Sequence, residues 1–223
     1  MKESCIVKKS YILYISKLIW GLFLYASGSV IIINAHIGYA PWDVFHVGAA
    51  KTIGVSVGTV SIVTGIFIGF LVFFLGEKLG LGTILNMVLI GGFIDIIFLI
   101  NVIPLAKSII WSILMLIIGL IMLALGTYFY ISSGLGAGPR DSLMVALTRK
   151  TGLPIGVCRG MIEVTVVTIG WKLGGMVGVG TLVVAFTIGF WIQVTFKAFQ
   201  FDATKIKHET LNQTYKGIFS VNR

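Results

Sequence analysis

The sequence predicts an all-α polytopic membrane protein of two tandem repeats. Each repeat has three spanning helices plus one short re-entrant or broken helix, and the halves are read as inverted. Three observations predict this. First, 57% of the 223 residues are hydrophobic and only 11% are charged, where a soluble domain carries about 25% charged residues; the mean hydropathy is +1.02. Second, the apolar residues run in blocks of about 20, the length that crosses roughly 30 Å of hydrocarbon, without the alternation of a β-barrel strand. Third, residues 21–99 align without a gap to residues 119–197. About a quarter of the pairs are identical, where this composition gives roughly a tenth by chance.

The chain divides into a basic cytoplasmic tail (1–10), a first membrane repeat (11–103), a second (104–200) and a polar C-terminal tail (201–223). Lys2, Lys8 and Lys9 precede an apolar run from Tyr11 to Ala35. That run is too long for a signal-peptide core and no small-residue cleavage site follows it, so it is read as span 1, about 11–34. Spans 2 and 3 cover about 57–75 and 82–101, separated by the turn Gly76-Glu77-Lys78-Leu79-Gly80. Pro104 and Lys107 mark the connection between halves. Spans 4, 5 and 6 cover about 108–131, 155–173 and 180–200, with a turn at Gly174-Gly175-Met176-Val177-Gly178.

The repeat is carried by residues with backbone consequences. Gly38-Tyr39-Ala40-Pro41-Trp42-Asp43 returns 98 positions later as Gly136-Ala137-Gly138-Pro139-Arg140-Asp141, and Gly80-Leu81-Gly82-Thr83 returns as Gly178-Val179-Gly180-Thr181. Proline suits the first turn of a helix, where its missing N–H costs nothing. An aspartate two residues on meets the positive helix end, and Lys51 or Arg149-Lys150 meets the negative one. These signals predict short helices over 41–53 and 139–151, each about 20 Å long and too short to cross. Glycine-rich connectors precede both, and irregular backbone at membrane depth is tolerated only within protein or beside a watery cavity. Re-entrant half-helices fit best; connectors lying flat at the interface stay open. Basic residues do not separate six crossings from eight, since either leaves three outside: Lys51, Lys107 and Lys172, or Lys78, Arg140 and Lys172. Segment length, and the Asp, His and Lys content of 36–54, favour six. With six, both termini are cytoplasmic, and three crossings per half invert one half relative to the other.

Ionisable groups at membrane depth are costly and therefore informative. Asp95 sits in span 3, opposite Gln193 in the alignment; Arg159 and Glu163 sit four apart on span 5 and can pair. Pro41, Asp43, Pro139, Arg140 and Asp141 are the candidate central site, with Asp43 and Asp141 both as helix-start groups and as lining. His46 is read as an interior histidine. The Thr of each Gly-x-Gly-Thr element can cap a helix start.

Other classes are disfavoured. The net charge of +9 is read as topogenic; no basic cluster interleaved with aromatics points to nucleic acid. Cys5 and Cys158 have neither metal nor disulfide spacing and are read as free thiols. No nucleophile set, metal set or cofactor motif is present, so the expectation is a protein that is not an enzyme and carries no cofactor or metal.

These elements resemble the YczE/YyaS/YitT family of bacterial integral membrane proteins, and its YczE-like branch most, over roughly residues 15–200. The resemblance implies a multi-pass protein of the bacterial cytoplasmic membrane and brings no assigned catalytic residues. The soluble C-terminal domain typical of the YitT-like branch exceeds the short polar tail here. Inverted repeats with broken helices are the recurring build of transporters. The leading expectation is therefore a transporter or channel for a small solute, with a midplane site between the repeats. The alternative is a non-transporting protein that binds or regulates another membrane or cytoplasmic protein. The bilayer is the first partner in either case; a homo-oligomer or a membrane-protein partner stays open.

Overall fold

The computed structural model describes residues 2–203, 206, 208–211, 213 and 214, with side chains from Tyr11 onward. The side chain of Cys5 lies outside the described residues. Among the described residues there are eight helices and no strand: α1 (Lys2–Ala35), α2 (Pro41–Ile53), α3 (Val57–Phe74), α4 (Leu81–Ile100), α5 (Ile109–Ile131), α6 (Pro139–Thr151), α7 (Ile155–Lys172) and α8 (Val179–Ala198).

Five of these are long and apolar enough to cross a membrane, namely α3, α4, α5, α8 and the Tyr11–Ala35 part of α1. The span expected over 155–173 does not qualify alone. Arg159, Glu163 and Lys172 reduce the hydropathy of α7, which joins the count only together with α6, a pair bent by 120°. The short helices have the expected bounds. Each starts on its proline, carries its aspartate in the first turn and its bases in the last, and ends against Gly54 or Gly152.

Helix α1 is the axis of the molecule. Its most apolar window is 67% buried, against 39% or less for the other four spans. It runs opposite to α5. A Cβ on Gly21 would lie 2.9 Å from the Gly126 carbonyl, and one on Gly28 would lie 2.8 Å from the Gly119 carbonyl, so glycine is what lets the backbones meet. On one side Leu18, Leu22, Ala26 and Val30 pack with Ile90 and Ile94 of α4. On the other, Ile32 packs with Leu116, Leu120 and Leu123 of α5 and Val184 of α8.

The connectors before α2 and α6 are satisfied across the halves. Gly82 N–H donates to the Leu135 carbonyl at 2.7 Å, and Gly180 N–H donates to the Ile37 carbonyl at 2.8 Å. The Thr83 hydroxyl donates to the Ala137 carbonyl at 2.7 Å, and the Gly80 N–H donates to Thr83 Oγ1 at 3.2 Å. Gly38 and Gly136 sit at φ +118° and +135°, a region L side chains rarely enter. A Cβ on either would also lie within 3 Å of the partner Gly-x-Gly-Thr turn.

Two helix pairs at equivalent places in the alignment differ in closeness. In the first half α3 lies on α4: Gly58 faces the Gly91 carbonyl and Asp95, and Gly65 and Gly69 lie on Met87. In the second half the equivalent Gly156 and Gly189 have nothing within 4 Å, and an opening of about 390 Å³ separates α7 from α8. The link from α4 to α5 is tied to the end of α1 by Asn34, which donates from Nδ2 to the Ile103 carbonyl at 2.6 Å and accepts from Ala106 N–H at 2.9 Å. The C-terminal segment folds back: Glu209 N–H donates to the Gly134 carbonyl at 2.8 Å and Leu211 N–H to the Leu79 carbonyl at 3.2 Å.

Equivalent substitutions should therefore have unequal effects. Gly58→Ala forces a methyl into the α3–α4 contact and should cost about 1–3 kcal/mol. Gly156→Ala meets open space and should stay within about 0.5 kcal/mol. Thermal unfolding of the two purified variants in one detergent checks the difference.

Candidate functional site

The first turn of α6 directs the site. Pro139 fixes the helix start, so Arg140 and Asp141 emerge beside the connector, into a cavity of about 110 Å³. Tyr25 of α1, Asn86 and Ile90 of α4, Tyr130 of α5 and the Arg159 and Glu163 side chains of α7 also line it. The cavity thus lies between elements of both halves.

Arg140 is held from the first half. Its guanidinium carbon lies 4.6 Å from the ring centroid of Trp42, a cation–π contact, and its Nη2 lies 3.3 Å from His46 Nε2. Trp42 and Arg140 are 98 positions apart and align with one another. Arginine only donates, so Nε2 of His46 is the acceptor and the ring proton sits on Nδ1. That atom lies 3.6 Å from Asp43 Oδ1 and has no hydrogen-bond partner among the described residues. His46 is fully buried and Asp43 is 6% exposed; Ser29 donates to Asp43 Oδ2 at 2.7 Å.

Asp141 is held from its own half. The Tyr130 hydroxyl donates to its Oδ2 at 2.5 Å. Arg159 and Glu163 pair at 2.7 Å, as their spacing on one helix face predicts. Among the described residues, no carboxylate lies within the 4.0 Å ion-pair limit of Arg140 and no cation within that limit of Asp141.

The expected site residues therefore separate. Pro139, Arg140 and Asp141 line the cavity. Asp43 does not: it stands behind His46 as a buried acceptor for Ser29, and Pro41 borders the α7–α8 opening. On the α2 side Trp42, and not Asp43, lines the cavity. Asp95 lies elsewhere and ties α3 to α4, accepting from Ser56 Oγ at 2.5 Å and from Gly58 N–H at 2.8 Å. That is a helix-start role, which satisfies an otherwise unpaired N–H. Tyr25, Asn86 and Tyr130 carry no sequence signal as lining. Trp42 did carry one, since it replaces the arginine at the equivalent position and so supplies the ring on which that arginine rests.

Residues 9–197 match the family described as "Family of unknown function (DUF6198)". The chain is 39% identical over 171 residues to a Bacillus subtilis (strain 168) protein named "Uncharacterized membrane protein YczE", covering 76% of this chain and 79% of that one. It is 34% identical over 179 residues to an "Uncharacterized protein" of Haemophilus influenzae, covering 80% of this chain and 81% of that one. No solved structure matches it.

Breaking the Arg159–Glu163 pair should leave a lone charge in the cavity wall. Arg159→Gln and Glu163→Gln should each destabilise more than the double variant does, with a coupling of about 1 kcal/mol. A double-mutant cycle read by thermal unfolding in detergent checks this, and additive single effects would contradict it.

Proposed function

The chain belongs to the DUF6198 family, and on that premise we propose that it is a small-solute transporter or channel of the bacterial cytoplasmic membrane, built from two inverted repeats around the central cavity. Its N- and C-termini face the cytoplasm.

The unequal opening of the two equivalent helix pairs carries this reading. In an inverted-repeat transporter, one half adopts the arrangement that the other leaves, and access to a shared site changes side. Here α3 and α4 are closed on Gly58 and Gly91, while α7 and α8 stand open at Gly156 and Gly189. The opening reaches Arg159 and Glu163, which also line the central cavity. A reciprocal contact supports a two-fold relation between the halves, and the packing of one helix pair supports inversion. The backbone bonds at Leu135 and at Ile37 are equivalent contacts exchanged between halves, as a two-fold axis requires. Helices α1 and α5, equivalent in the alignment, meet antiparallel, as three crossings per half require and four do not.

Closure of α7 onto α8 should bring positions 156 and 189 together. A Gly156→Cys/Gly189→Cys protein in lipid vesicles should cross-link on mild oxidation, and the cross-link should stop efflux of a panel of small solutes until reductant restores it. The reading fails if no solute of the panel leaves faster than from protein-free vesicles, or if the cross-link leaves efflux unchanged.

A further inference from the structure

We infer that the central cavity is a site for a small zwitterion of the α-amino acid class, its carboxylate on Arg140 and its ammonium on Asp141. This rests on the transport reading above and names its substrate class.

The argument starts from charge. Two cations and two carboxylates line the cavity: Arg140, Arg159, Asp141 and Glu163. Arg159 and Glu163 satisfy one another at 2.7 Å. Arg140 and Asp141 do not pair, although they are neighbours in the chain; neither has a partner of opposite charge within 4.0 Å among the described residues. A charge at membrane depth is costly unless it is paired. The simplest relief, an ion pair between the two, is prevented by how each is held. Trp42 and His46 hold the guanidinium from the first half, and Tyr130 holds the carboxylate from α5.

What remains is a separated positive and negative group facing one cavity. Arg140 uses one of its five N–H donors on His46, so a fork remains for a carboxylate. Asp141 Oδ1 makes no hydrogen bond among the described residues and can accept from an ammonium. A lone anion would satisfy Arg140 and repel Asp141; a lone cation would do the reverse. Only an occupant with both charges satisfies both groups and leaves the lining neutral. The cavity, about 110 Å³, has room for several water-sized groups, enough for a small solute carrying both charges.

The test uses the full chain in lipid nanodiscs, with glycine and alanine as probes and acetate and methylamine as their two halves. Alanine or glycine should bind more tightly than either half-probe by at least tenfold. Arg140→Gln and Asp141→Asn should each weaken alanine binding by at least tenfold, while Lys107→Ala, in the exposed link between α4 and α5, should leave it unchanged. Asp141→Asn should in addition narrow the gap between alanine and acetate, a change that general loss of folding would not produce. If acetate or methylamine binds and neither amino acid does, the zwitterion assignment is overturned while a central small-solute site survives. If none of the four probes binds and vesicles show no efflux of any solute, the transport reading fails and this assignment with it.

Discussion

Backbone polar groups in an apolar medium must find partners inside the protein, and in this chain the hardest ones to satisfy are the connectors before α2 and α6. Each is satisfied in part by the opposite half. The Leu135 carbonyl is reached by Gly82 N–H from the first half, and the Ile37 carbonyl by Gly180 N–H from the second. The glycines of the Gly-x-Gly-Thr turns leave those N–H groups uncovered, and Gly38 and Gly136 let the connectors bend into reach. Neither connector is complete without the opposite half.

The position of the cavity follows from this exchange. Docking each connector on the opposite half fixes where α2 and α6 begin, and so brings Trp42 and His46 against Arg140. The first turn of α6 then faces the cavity together with side chains of α1, α4, α5 and α7. The same framework permits the unequal closure of α3–α4 and α7–α8, because the exchanged bonds lie at the helix starts and not along those helix pairs. The exposed ridge of Phe67, Phe70 and Phe74 on α3 needs no further cause than contact with lipid.

Local chemistry was legible in the sequence. Pro41 and Pro139, their aspartates and the closing Gly54 and Gly152 gave the bounds of α2 and α6, because caps and fixed φ values act within one turn. The Arg159–Glu163 pair followed from helical spacing. Contacts between distant elements were less accessible. Asp95 was legible as a costly ionisable group in an apolar run, but nothing local reveals that the start of α3 lies beside it. Asp43 and Asp141 looked equivalent because their sequence neighbourhoods are. Their surroundings differ through Ser29, His46 and Tyr130, which come from other turns and helices. The weakness of α7 as a span was visible in its charges, but its separation from α8 was not, since Gly156 and Gly189 keep the residue type of their closely packed counterparts.

The inverted relation of the halves is tested most directly by the sidedness of equivalent positions. Val55 and Leu153 follow α2 and α6 and are 42% and 39% exposed. Single cysteines placed there, in a chain without Cys5 and Cys158, can be labelled in intact cells with a membrane-impermeant thiol reagent. Inverted halves predict that one of the two reacts from outside and the other only after the membrane is opened. Reaction of both from the same face would contradict inversion, and with it the alternating access proposed for the central cavity.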